Sequence, residues 1–317
     1  LLFQAGVGMN DFKLTTPVAF IIFNRPDTTA QVFAEIRRVK PTKLLVIADG
    51  PRKDRPGEAE KCAQARAIID KVDWECEVLK NYGDKNMGCG GRVASGLSWV
   101  FEQVEEAIIL EDDCVPHPSF FQFCQELLEK YRYDDRIMQI SGDNFLFGKR
   151  RTDYSYYFSM FSHPVLIWGW ASWRRAWEKY DYDIKLWPQI RDRGMLKSYF
   201  GNNRLSDNWT RIFDEVYDNK FTWDYQWTFC RWIQSGLCIV PNQNLISNIG
   251  WGQDATHTIT PNTIWDNIPR KEMGFPLNHP PYVLCDYDAD RYVLKRAWPN
   301  LINRIFLRLK SDLYKSR

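Results

Sequence analysis

Short unbroken apolar runs, each closed by polar residues and followed by a helix-length segment, set the strongest limit on what this chain can fold into. Pro17-Val-Ala-Phe-Ile-Ile-Phe23 ends in Asn24-Arg25-Pro26, Lys43-Leu-Leu-Val-Ile-Ala48 in Asp49-Gly50-Pro51, and Ala107-Ile-Ile-Leu110 in Glu111-Asp112-Asp113. Strands without polar alternation must be covered on both faces. Between these runs, residues 28–39, 58–72 and 92–104 carry helical spacing, with Asp27 or Thr28 as the expected cap of the first, and residues 75–79 read as a further strand. The alternation predicts an α/β fold with a mainly parallel sheet flanked by helices. Such sheets bind ligands beyond the carboxyl ends of their strands. Asn24, Arg25, Asp49 and the acidic triplet all fall there.

Beyond residue 115 the pattern changes. Residues 120–131, 173–180 and 207–218 read as helices, and 137–140 and 238–240 as strands, around the Trp- and Gly-rich stretch Trp168-Gly-Trp-Ala-Ser-Trp173. Residues 248–281, rich in Gly, Asn, Pro and Thr, read as a long ordered loop.

Composition narrows the class. A net charge of +2 over 317 residues is too balanced to imply nucleic-acid binding. No apolar run reaches the roughly 18 residues that span a bilayer. The eight cysteines show no Cys-x-x-Cys pair and no zinc-type spacing, so they read as reduced thiols of a cytoplasmic protein. Aromatic residues make up 15%, with 14 Trp, which suits both a core and a sugar-stacking site. From Arg291 onward, eight Lys/Arg face the single acid Asp312. There Leu301, Ile302, Ile305, Leu309 and Leu313 keep helical spacing beside Arg304, Arg308, Lys310 and Lys315. That pattern predicts either packing on the body or peripheral contact with the anionic inner face of the cell membrane.

An acidic triplet closing a buried strand can face a divalent cation without deep burial. Hard Mg²⁺ or Mn²⁺ takes carboxylate oxygens together with those of a diphosphate. Asp224 is a second candidate, because transfer to a hydroxyl needs a carboxylate to take its proton. Its flanking Trp223 and Trp227 would desolvate it and raise its basicity. The competing reading is a cap on a helix starting at Tyr225, with Asp207 and Asp254 as fallback bases.

The segment Ala107-Ile-Ile-Leu-Glu-Asp-Asp-Cys-Val-Pro-His-Pro-Ser-Phe-Phe121 resembles the Glu-Asp-Asp region of the N-acetylglucosaminyltransferase I family. Phe23-Asn-Arg-Pro26, Asp49, Gly169-Trp-Ala-Ser-Trp-Arg-Arg-Ala-Trp177, Trp223-Asp-Tyr-Gln-Trp227 and Ile246-Ser-Asn-Ile-Gly-Trp-Gly252 with His257 resemble further family segments in the same order. The chain is also similar to bacterial haemolytic-protein-like glycosyltransferases. The resemblance implies a GT-A fold and metal-dependent, inverting transfer of a sugar from a UDP-type donor to a saccharide or lipid-linked saccharide acceptor. Carried over, Asp113 is the Mn²⁺ or Mg²⁺ ligand, and Glu111 and Asp112 contact donor sugar or ribose. Asn24, Arg25 and Asp49 contact the nucleotide, as does Arg92, which stands where the family has a His. Asp224 is the base, with Tyr225 in place of the family's second Asp. His257 contacts metal or diphosphate from a closing loop whose mobility comes from Gly250 and Gly252. The implied division is 1–8 (a tag remnant before Met9), 9–115 (nucleotide-sugar half), 116–260 (acceptor and catalytic half) and 261–317 (loop and basic tail). A nucleotidyltransferase, which wants a Gly-rich loop after its first strand, and a non-catalytic carbohydrate-binding protein remain as alternatives.

Overall fold

The computed structural model describes residues 12–149, 151–160, 166–250 and 267–297. Its first half is β1 (Val18–Ile22), α1 (Pro26–Val39), β2 (Lys43–Ala48), α2 (Glu58–Ile69), β3 (Glu77–Tyr82), α3 (Gly88–Gln103) and β4 (Glu106–Glu111). Next come β5 (Cys114–Pro116), α4 (Ser119–Lys130), β6 (Ile137–Ser141), β7 (Tyr156–Ser159), β8 (Trp170–Trp173) and α5 (Arg174–Trp177). The rest is α6 (Trp187–Asp192), α7 (Met195–Phe200), α8 (Asn203–Asn219), α9 (Asp224–Ile233), β9 (Leu237–Pro241), β10 (Ile246–Asn248) and α10 (Tyr287–Ala297).

Eight strands form one mixed sheet in the order β3-β2-β1-β4-β8-β6-β9-β7, and β10 pairs with β5 in a separate antiparallel ribbon. β3, β2, β1 and β4 are mutually parallel. β8 runs against both β4 and β6, so β6 and its parallel partner β9 point the same way as β4. The carboxyl ends of six strands therefore share one edge. This is the mainly parallel, helix-flanked α/β fold expected. The sheet crosses the anticipated boundary at residue 115, which β5 itself straddles.

Helices pack on the sheet through buried apolar faces. Val32, Phe33 and Ile36 of α1 and Phe120, Phe123 and Leu127 of α4 join Val18, Phe20, Leu44 and Val46 on one face. Val93, Leu97 and Val100 of α3 cover Ala19, Leu45 and Ile47 on the other. Burying each such side chain contributes roughly 1.5–3 kcal/mol against its exposed state.

Two expectations at helix starts are corrected. α1 begins at Pro26 with Arg25 as its N-cap and no side-chain cap, so neither Asp27 nor Thr28 caps it. Proline at the first position loses no needed N–H, and the Thr29 hydroxyl donates to the Arg25 carbonyl at 2.7 Å. α3 begins at Gly88 rather than residue 92, taking three glycines into its first turn. Glycine disfavours helix by about 1 kcal/mol. A Cβ at Gly90, however, would stand 2.7 Å from the Lys220 carbonyl oxygen and 2.9 Å from that of Thr222. Tertiary approach overrides propensity there.

Most of the described tryptophans are core residues. Trp170, Trp173, Trp177, Trp187, Trp209, Trp223, Trp227 and Trp232 are all buried. Trp170 stacks on Trp223 with ring centroids 5.7 Å apart, and Trp177 stacks on Tyr180 at 4.2 Å. They fill the core between α3, α5 and α9 and around α8. All eight cysteines are unpaired thiols. No described helix is long and apolar enough to cross a membrane. The basic tail from residue 298 lies outside the described residues, whereas 267–281 contain no helix or strand.

Candidate active site

The parallel register sets Ile21 of β1 beside Glu111 of β4, so the residues after β1 and β4 meet. Arg25 reaches across both. One guanidinium nitrogen pairs with Asp112 Oδ1, and Nη1 lies 2.9 Å from Asp113 Oδ2. Asp112 Oδ2 accepts the Phe23 amide at 3.2 Å. Asp113 Oδ1 accepts the Cys114 thiol at 3.2 Å, and the Asp113 carbonyl accepts the Ile249 amide at 2.8 Å. Gly250 lies flat on this ion pair: a Cβ there would stand 2.0 Å from Asp113 Oδ2 and 2.8 Å from Arg25 Nη1. The ribbon of β5 and β10 thus closes over the acidic strand end. Asp113 and Arg25 keep 14% and 21% of their side chains exposed, enough for a ligand to reach them.

The cluster is rich in carboxyl groups. Burial pushes the Asp112 carboxyl up to about 6 against the opposing pull of Arg25. Glu111 is pushed well up by burial, then by Asp113 and Asp112; Arg25 restrains it and Asp224 adds to the push. Asp224, about a third of the chain away in sequence, therefore stands near Glu111. Arg25 itself pairs with Asp112 and Asp113. Cys89 in the first turn of α3 feels burial first and then Glu111, Asp224 and Asp113, which raise its thiol and keep it unreactive.

Asp224 opens α9 but does not cap it; the N-cap is Trp223. Its Oδ1 accepts the Thr222 hydroxyl. The surrounding backbone is pinned on several sides. The Tyr180 hydroxyl donates to the Trp223 carbonyl at 3.1 Å, the Tyr182 hydroxyl to that of Lys220 at 2.8 Å, and the Trp227 indole to Gln139 Oε1 at 3.0 Å. Together with the close passage at Gly90, these contacts fix where the carboxylate stands.

Other sequence-derived candidates have local tasks. Asp49 is buried, and its carboxylate accepts the amides of Gly50 (2.9 Å), Met87 (3.0 Å) and Gly88 (3.1 Å) and the Asn86 side chain (3.0 Å). Burial raises it while these donors pull it down. It anchors the N-terminus of α3. Arg92 is buried and donates to the Asn81 carbonyl and, at 2.8 Å, to Asn81 Oδ1. Asn24 donates to Glu58 Oε1 at 2.9 Å, and Asp207 is exposed on α8. His257, Asp254 and Gly252 lie outside the described residues.

Among the described residues no three His, Cys, Asp or Glu side chains are grouped closely enough to hold a metal by themselves. The carboxylate oxygens of the triplet, with Asp113 partly exposed, nevertheless fit a hard cation that takes most of its ligands from water and a diphosphate.

No protein-family model matches the chain, and no curated protein is similar enough in sequence to count as a relative. Among solved structures, 4-diphosphocytidyl-2C-methyl-D-erythritol synthase from Anaerococcus prevotii is similar at 13% identity and a TM-score of 0.32, over 52% of this chain and 76% of that one. A UDP-glucose pyrophosphorylase complexed with UDP-glucose is similar at 13% and 0.25, over 46% and 62%. HddC from Yersinia pseudotuberculosis is similar at 8% and 0.30, over 51% and 80%. Likenesses this slight carry no chemistry across; what those names describe belongs to those proteins.

One buried acid was missed in the sequence. Asp143, just after β6, is fully buried; Oδ2 accepts the Trp168 amide at 3.0 Å, while Oδ1 has no partner among the described residues. Burial pushes its carboxyl well above the usual range, against the pull of Trp168 and Ser141. A carboxyl raised in the folded state costs stability as pH climbs past its unfolded value near 4. Asp143→Asn should therefore melt a few degrees above the parent at pH 8, with the gap shrinking towards pH 4; each kcal/mol recovered gives about 2–4 °C. Melting curves over that pH series check it, and a lower melting temperature at pH 8 would contradict it.

Proposed function

We propose that this chain is a nucleotide-sugar-using enzyme, and that it works as a glycosyltransferase. The observation that carries the reading is Asp224: a carboxylate from a distant segment, its backbone held against α3 and the tryptophan core, is near enough to Glu111 at the end of β4 to raise it. Two acidic groups of separate origin at one strand-end edge suit two tasks, holding a diphosphate and accepting a proton. Asp113, with Glu111 beside it, would hold Mn²⁺ or Mg²⁺. Such a cation, when bound, supplies charge neutralisation for a departing diphosphate. Arg25 orients the carboxylates and offers positive charge to the phosphates. Asp224 takes the proton of the acceptor hydroxyl as its oxygen bonds to the anomeric carbon. The bond from that carbon to the diphosphate oxygen breaks, and the nucleoside diphosphate leaves with the electron pair.

Nucleotidyl transfer is the alternative, and the names of the similar structures, a UDP-glucose pyrophosphorylase among them, lie nearer to it. Against it stands the start of α1. The helix begins at Pro26, four residues after β1 ends, and side chains rather than a Gly-rich loop occupy the turn. The products separate the readings. A panel of UDP-, GDP- and dTDP-sugars is incubated with Mn²⁺ and either saccharide acceptors or pyrophosphate. Release of nucleoside diphosphate with a lengthened saccharide supports glycosyl transfer; pyrophosphate-dependent nucleoside triphosphate supports the alternative. Consumption of no nucleotide sugar would overturn both.

A further inference from the structure

A second cavity of about 540 Å³ opens on the same sheet edge, at the ends of β6 and β9, lined among others by Asn144, Phe147, Asn242, Gln243, Asn244 and Lys271. It contains none of the acidic groups described above. Two of its amides are structural. Asn144 accepts the Leu146 amide at 2.8 Å and donates to the Pro241 carbonyl at 2.7 Å, and Asn244 Oδ1 accepts the Asn144 amide at 3.0 Å. These bonds spend both side chains on fixing the walls. The others are not spent. Among the described residues Asn242 Oδ1 is buried without a hydrogen-bond partner, although its amide nitrogen donates to the Tyr154 carbonyl at 2.6 Å. Gln243 and Lys271 side chains enter no hydrogen bond or ion pair with the described residues. Phe147 lies in the loop after β6 with φ at +51°, a conformation that a bulky residue rarely adopts and that tends to mark ligand sites.

Amide and ammonium donors and a carbonyl acceptor without a partner among the described residues, in a concave site, match the alternating hydroxyls of a saccharide. Among the described residues no carboxylate lines the cavity to repel an acidic substituent on it. The cavity is also tied to the acid cluster. From Asn244 the chain runs through β10 to Gly250 against Asp113, at most about 20 Å of extended backbone.

We infer that this cavity is a saccharide subsite holding the part of an oligosaccharide acceptor remote from the reacting hydroxyl. The inference rests on the glycosyltransferase reading for the word acceptor, but not for binding itself. The test is a printed oligosaccharide array read without nucleotide or metal, using the parent protein, Gln243→Ala/Lys271→Ala and Asp113→Asn. Parent and Asp113→Asn should retain the same glycans, and the double variant should lose about tenfold in affinity through two missing hydrogen bonds. Gln243→Ala alone, losing a half-buried side chain, serves as the control for folding and should give a smaller loss. No retained glycan, or unchanged binding by the double variant, overturns the inference. Loss only in Asp113→Asn also overturns it, placing the saccharide at the acid cluster while leaving the glycosyltransferase reading intact.

Discussion

Asp113→Asn is expected to remove divalent-dependent binding of nucleoside diphosphate. Even groups that only support a metal ligand are worth 10–100-fold in affinity, so losing the ligand itself should cost on the order of a hundredfold or more. The fold should survive, because Asn keeps the volume and can still accept the Cys114 thiol. Relief of repulsion with Glu111 and Asp112 works in the same direction. Calorimetric titration of UDP with and without Mn²⁺ reads the effect directly. If the variant binds UDP as the parent does and with the same Mn²⁺ dependence, the site lies elsewhere.

Asp224→Asn should leave that binding nearly intact and slow sugar transfer by roughly 10²–10⁴-fold, the usual contribution of a general base. The asparagine keeps the hydrogen bond from Thr222 and the packing of α9, and loses only the capacity to accept a proton. Two readouts constrain the outcome independently. The transfer rate tests the residue, and the anomeric proton signal of the product tests the stereochemistry. Near-normal transfer by the variant would exclude Asp224 as base. A product retaining the donor configuration would exclude single displacement.

The strands of the first half were legible because burial on both faces writes itself as unbroken apolar runs, and β1, β2 and β4 fall within a residue or two of those runs. β7 and β8 were not. They are four-residue strands made of aromatic and small residues, and their place depends on antiparallel partners far away in sequence. Helix starts failed wherever a tertiary contact chose them, as at Gly90. Asp49 shows the same limit at the site. From sequence it is an acid at a strand end like Asp113; only the structure shows the amides of Met87 and Gly88 taking its carboxylate. The residues of the second cavity carry no motif, since amides and a lysine in loops look like ordinary surface.

The ribbon of β5 and β10 has a consequence for how the molecule is made. β5 follows the triplet immediately, but its only partner in the ribbon is a strand more than a hundred residues later. Closing so long a loop is slow relative to forming the local strand–helix units. During synthesis, a ribosome-bound chain that has emerged only through β6 can assemble β1 to β4, yet Asp113 still lacks Ile249 and Gly250. Completion of the acidic strand end is thereby deferred until almost the whole chain has emerged, and a premature stop before residue 246 would leave that edge without its cover.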